Sequence, residues 1–140
     1  RLEKTKQNHL LVLNCRDKRA YCLGVPIEIP PHYFVYLRIW AERSSEWVAN
    51  SRLTRLYQER EEVNPDAAPP KPVDVKRRLK ESLKKVYRTY MTRKKHGHGG
   101  PSEIEDRWGS ADKFAAVVLP TGKNKAYKLD LSRDEIKILS

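Results

Sequence analysis

Cysteine is scarce in this chain of 140 residues: Cys15 and Cys22 are the only two, too few for a disulfide scaffold and in keeping with a reducing, cytoplasmic setting. Long apolar runs are missing as well. The longest, such as Phe114 to Leu119, are strand-sized, against the roughly 20 residues needed to cross a bilayer, so a membrane span is excluded. Arg1 to Asn8 hold neither a starting Met nor an apolar signal region, and the chain reads as a C-terminal fragment of a longer protein. No nucleophile elbow, phosphate-cradling Gly loop or zinc-ligand spacing occurs, so the segment is expected to be no enzyme and to need no cofactor. Acidic side chains are also in deficit. Asp plus Glu number 18 against 29 for Lys plus Arg, a formal charge of +11, and that excess points to a polyanionic partner, nucleic acid first, rather than a neutral metabolite.

What remains is one domain's worth of material, residues 1–140, without internal repeats. Hydrophobic residues make up 39% and charged ones 34%, with a mean hydropathy of −0.78, so a modest core lies under a heavily ionised surface. His9 to Asn14, Ala20 to Leu23 and Val25 to Ile29 alternate and are punctuated by turn residues, which predicts an N-terminal antiparallel sheet. Pro30-Pro31 presets the start of a first helix through Glu42, whose Tyr33, Tyr36 and Trp40 fall at helical spacing and are read as core, not as a base-stacking platform. Ser51 is the expected cap of a second helix to about Glu61. Four prolines between Asn64 and Pro72 make 62–72 a stiff exposed connector.

The most informative segment is Val73 to Tyr90. Val75, Leu79, Leu83, Val86 and Tyr90 follow one another at spacings of 4, 4, 3 and 4, one narrow helical stripe. The opposite arc carries Arg77, Lys80, Lys84 and Arg88, flanked by Lys76, Arg78 and Lys85, with Glu81 as the acidic exception. Such a helix fits along a DNA groove, its cations neutralising phosphates, and Arg77 and Arg78 near its start are the expected base readers. Residues 91–101, rich in Gly and charge, are expected to form a flexible loop in which Arg93, Lys94 and Lys95 add phosphate contacts. His96 and His98 lack the further ligands a metal site requires. Ser102 to Glu105 matches a capping box and opens a short helix to about Trp108. Phe114 to Leu119 and Ala126 to Leu131, joined by a Gly-containing turn, predict a β-hairpin whose tip presents Lys123 and Lys125 to a phosphate backbone, and Ile136 to Ile138 predicts a last short strand.

Strands, helix, helix, loop, basic helix and hairpin in this order resemble a winged helix-turn-helix domain of the OmpR/PhoB effector type. The residues carrying the likeness are Arg19 to Gly24 with Ile27 to Pro30, Val73 to Leu83 as recognition helix, and Ala126 to Leu129 as the last wing strand. The resemblance implies an α+β fold with an N-terminal antiparallel sheet, a three-helix core and a C-terminal hairpin wing, the helix from Val73 entering the major groove. The insertion from Met91 to Lys113 and the proline-rich loop depart from that family's pattern. A narrower resemblance, carried by Tyr127 to Ile136, is to the C-terminal winged-helix extension of CRISPR-associated CARF/ring-nuclease-like proteins of antiviral defence. It implies that cyclic-oligoadenylate sensing and ring cleavage lie upstream of Arg1. The expected function is therefore nucleic-acid binding, DNA favoured over RNA. Two alternatives are a homodimerising or protein-docking module built on the surplus apolar face of the first helix, and a metal-independent nuclease using His96 or His98.

Overall fold

The computed structural model describes residues 9–60, 63–64, 66–95, 108–120, 122 and 126–139, with the backbone only of Lys94 and Lys95. Among the described residues the fold is α+β, a mixed four-stranded sheet and a second, two-stranded one combined with four α-helices and a short 3-10 turn at Arg133–Glu135. Strands β1 (Leu11–Asn14), β2 (Arg19–Cys22) and β3 (Val25–Ile27) form an antiparallel meander. β6 (Ile136–Leu139) then adds to β1 in parallel, giving the order β3-β2-β1-β6. Register places Leu11 beside Cys22 and Leu13 beside Ala20, with Cys22 beside Val25 and Ala20 beside Ile27, so the period of two lines one buried face with small and aliphatic side chains. The β2–β3 link is the two-residue turn Leu23-Gly24, both residues at positive φ (53° and 76°). That is the backbone a twisted two-residue hairpin needs, and the strain of a leucine there is held by its burial and by its amide, which donates to Leu10 O at 2.9 Å.

Helix α1 (Pro31–Glu42) starts where the prolines predict, with Pro31 in its first turn. Seven of its residues, Phe34 to Leu37 and Ile39 to Ala41, are buried. Tyr36 and Trp40 are core as expected, Tyr36 stacking on Tyr57 at 4.9 Å and donating its hydroxyl to Pro70 O at 2.8 Å, which pins the proline-rich segment to the body. Among the described residues, the apolar face of α1 is thus covered by its own chain. Helix α2 (Asn50–Gln58) begins one residue before the expected cap; Ala49, not Ser51, occupies the N-cap position and makes no side-chain bond. Leu53 and Tyr57 face inward.

The long helix α3 (Pro72–Lys95) is the spine of the molecule. It buries the predicted stripe of Val75, Leu79, Leu83, Val86 and Tyr90, and Tyr87 with it. It also runs on through residues expected to belong to a loop: Met91 to Lys95 are helical, because Met91 packs against the core and the first glycine comes only at position 97.

The largest departure lies downstream. Phe114 to Leu119 does not form a wing strand; Ala111–Val118 is helix α4. Ser110 caps it, its side chain accepting from Lys113 N at 3.2 Å, and Asp112 sits in the first turn. Phe114, Ala115 and Val118 turn inward at helical spacing while Ala116 and Val117 stay exposed. A short apolar run reads equally as buried strand or buried helix by periodicity, and here tertiary packing against α3 selects the helix. The strand partner of β5 (Ala126–Tyr127) is consequently β4 (Val48–Ala49), with Val48 opposite Tyr127. Leu129 and Leu131, expected in that hairpin, are buried plugs held by backbone bonds from Ser45 N to Leu129 O and Asp130 N to Val118 O, at 2.9 and 2.8 Å. The expected capping box at Ser102 and the tip lysines Lys123 and Lys125 lie outside the described residues. Trp108 is buried edge-on to Phe114.

Burial pushes the Cys22 thiol up to about 12 and the Tyr36 hydroxyl to about 12. Both folded-state values are raised, so the fold keeps its full stability below the unfolded pKa and loses it as the unfolded chain ionises first, between about 9 and 12 for Cys22. The urea midpoint is expected to fall between pH 8 and pH 10.5, and less so in Cys22→Ala; an equal fall in both proteins would show that Cys22 is not the group responsible.

Candidate nucleic-acid interface

Helix α3 carries the cations singled out in the sequence, and the fold divides them into three rows. On the flank facing α4 and the C-terminal segment, Lys76, Lys80 and Lys84 are half-buried. Lys76 Nζ donates to Pro120 O at 2.9 Å and lies 5.9 Å from the Tyr127 ring centroid. Burial, and then the charge of Lys80, lower its pKa. Lys84 Nζ sits 3.1 Å from a Glu81 carboxylate oxygen and 3.5 Å from one of Asp112. The hydrogen bond it donates to Glu81, with that residue's charge, raises its pKa. Lys76 and Lys84, both among the expected phosphate contacts, thus have partners within the fold, a carbonyl and two carboxylates respectively.

Along the crest, Arg77 and Arg88 are exposed. Arg77 is paired with Asp74 one turn before it, an intrahelical partner one turn away that the sequence reading passed over. Arg88 makes no side-chain ion pair among the described residues.

The third row faces the edge strand β3. Arg78, Ser82, Lys85, Thr89 and Arg93 follow at spacings of 4, 3, 4 and 4, a second stripe beside the buried one, and they line a groove of about 260 Å³ between α3 and β3. Ser82 Oγ donates to Glu28 O at 2.9 Å and closes the floor. Arg78, Lys85 and Arg93 are exposed and have no ion-pair partner among the described residues, although Glu28 and Glu81 line the same groove. Lys85 stands on the flank of the cationic arc as the sequence places it; Glu28 was not foreseen, because it comes from 50 residues earlier than Arg78 and only the tertiary fold brings it there.

Lys94 and Lys95 continue α3, Lys123 and Lys125 follow Gly122, and His96 and His98 lie outside the described residues. Gly122 lies against Trp47 so closely that an added Cβ would fall 2.5 Å from the indole. Lys128 Nζ lies 4.6 Å from the centroid of the same ring. Among the described residues no three His, Cys, Asp or Glu side chains come together to hold a metal. No helix is long and apolar enough to cross a membrane among the described residues.

No family model matches the chain, and neither a curated protein nor a solved structure matches it.

Proposed function

We propose that the chain is a nucleic-acid-binding module that lays the outer side of α3 along a phosphate backbone, with double-stranded DNA as the favoured partner. One observation carries the reading: Arg78, Lys85, Arg88 and Arg93 are exposed on a single rigid helix, with no ion pair among the described residues, in a chain of net charge +11. From Arg78 to Arg93 the helix advances about 22 Å, at 1.5 Å per residue, enough to follow several phosphates along one strand. Arg77 adds a fifth cation once Asp74 is displaced, and Lys76 and Lys84 drop out of the contact set.

The proposal includes the winged-helix relation. It is supported by β4 lying between α1 and α2 and pairing with β5, which follows the long helix, and by the three-stranded meander ahead of α1. The positions of the recognition helix and of Gly122 near its N-terminal end of the fold then correspond to helix and wing tip, with α4 replacing a wing strand. Such a module would serve as the nucleic-acid-reading part of a larger CRISPR-associated protein.

The test is a salt titration of affinity for a DNA duplex, an RNA duplex of the same sequence and the two single strands. Four phosphate contacts give a slope of about −3.6 in log K against log salt on B-DNA. Tighter binding to the DNA duplex than to the RNA duplex is expected. No binding to any of them at 50 mM salt, or a slope near zero, would refute the reading.

A further inference from the structure

The groove between α3 and β3 is polarised in a way that phosphate neutralisation alone does not need. On the helix side it offers donors, Arg78, Lys85 and Arg93 with the Thr89 hydroxyl among them, beside Glu81, whose carboxylate is already paired with Lys84 at 3.1 Å. On the strand side it offers acceptors. The pair next to a two-residue hairpin turn exchanges hydrogen bonds and the following pair points its amide groups outward, so Pro26, opposite Tyr21, turns a carbonyl to the free edge and has no N–H to give there. Two residues on, Glu28 is exposed with no ion pair among the described residues and lines the same groove as the three cations. Between the two rims lie the buried Val25 and Val86 and the exposed ring of Pro26.

The missing N–H at Pro26 disfavours an added β-strand, and Glu28 adds an acceptor that phosphates alone leave unused. A volume of about 260 Å³ is just under the range that encloses drug-sized ligands, about 300–1,000 Å³. What satisfies both rims is a planar group with N–H donors at one end and a phosphate at the other. We infer that the groove takes one nucleotide of a single strand, its base against Pro26 and Val86, its exocyclic amine on Glu28 and its phosphates on Arg78, Lys85 and Arg93. A carboxylate accepting from cytosine N4 is an established base contact, and thymine offers a carbonyl at the same position. The length of the cation stripe favours a nucleotide within a strand over a free one, because Arg78 and Arg93 stand about 22 Å apart along the helix and reach the neighbouring phosphates. This rests on the proposed function and adds to it a site that reads an unpaired base.

The experiment is fluorescence anisotropy at fixed salt and pH 8 with labelled 12-nucleotide dC and dT strands and a mixed-sequence DNA duplex. The native chain is expected to hold the dC strand about fivefold or more tighter than the dT strand. Glu28→Gln, which supplies a donor as well as an acceptor, is expected to erase that preference while duplex affinity stays within about twofold. Arg93→Ala is expected to weaken both strands by the same factor. Glu28 and Arg93 are both exposed, and a thermal melt of each variant verifies that it folds. Equal affinity for the two strands, or a preference that survives Glu28→Gln, with the duplex still bound, overturns this inference alone. Failure to bind duplex and strands alike overturns the proposed function along with it.

Discussion

A variant carrying Arg78→Ala, Lys85→Ala and Arg88→Ala is expected to bind duplex DNA at least about a hundredfold more weakly than the native chain near 0.1 M salt, and to melt at the same temperature. The first half follows from counterion release. Each phosphate neutralised contributes about 0.9 to the slope of log K against log salt, so removing three lowers the slope by about 2.7. The second half follows from exposure: none of the three side chains is in an ion pair among the described residues or in the core, and surface substitutions away from such features stay within about 0.5 kcal/mol. The matched control is Lys76→Met with Lys84→Met. These two lysines have the same formal charge and the same helix, but their ammonium groups bind Pro120 O and the Glu81 and Asp112 carboxylates, so the slope should change little. Anisotropy titrations at four salt concentrations measure all of this. Equal slopes in the triple variant and the native chain would mean that the outer side of α3 is not where the polyanion sits.

The second large effect concerns stability. Phe114→Ala is expected to cost about 3–5 kcal/mol, the usual range for emptying a buried phenylalanine site, out of a total that rarely exceeds about 15 kcal/mol. Phe114 is fully buried, its ring stacked on Tyr87 at 5.4 Å and edge-on to Trp108 at 4.8 Å. Its neighbours make the test specific to a helix. As a strand, residues 114, 116 and 118 would share one face; in α4 it is Ala115 that turns inward and Ala116 that faces solvent. Ala116→Lys should therefore leave the urea midpoint almost unmoved and Ala115→Lys should unfold the protein. The opposite pattern would restore the strand.

These two positions also show where sequence reading works and where it stops. The stripe from Val75 to Tyr90 was visible because a regular 3.6-residue spacing needs no tertiary information, and the aromatic residues of α1 were placed in the core for the same reason. Phe114 to Leu119 was not decidable, since six apolar residues satisfy a buried strand and a buried helix alike; the cap at Ser110 was the one local sign of a helix, and it lies four residues upstream. The candidate interface was half legible. Charge and helical spacing put cations on α3, but which of them stay available depends on Asp112, Pro120 and Glu28, residues distant in sequence that arrive only with the fold. Asp74 is the exception, an i,i+3 partner of Arg77 that a closer reading of the first turn reveals.

The parallel pairing of β6 with β1 joins Leu11 to Ile136, separated by 125 positions along the chain. On a ribosome adding about 5–20 residues each second, β1 emerges roughly 6–25 s before its outer neighbour has been made. For that interval the meander has a bare strand edge on the side away from β3, and such an edge invites pairing with other nascent chains. The parallel contact thus closes an edge that stays open while the residues between its two strands are made, which places the aggregation hazard in synthesis and not at the working surface.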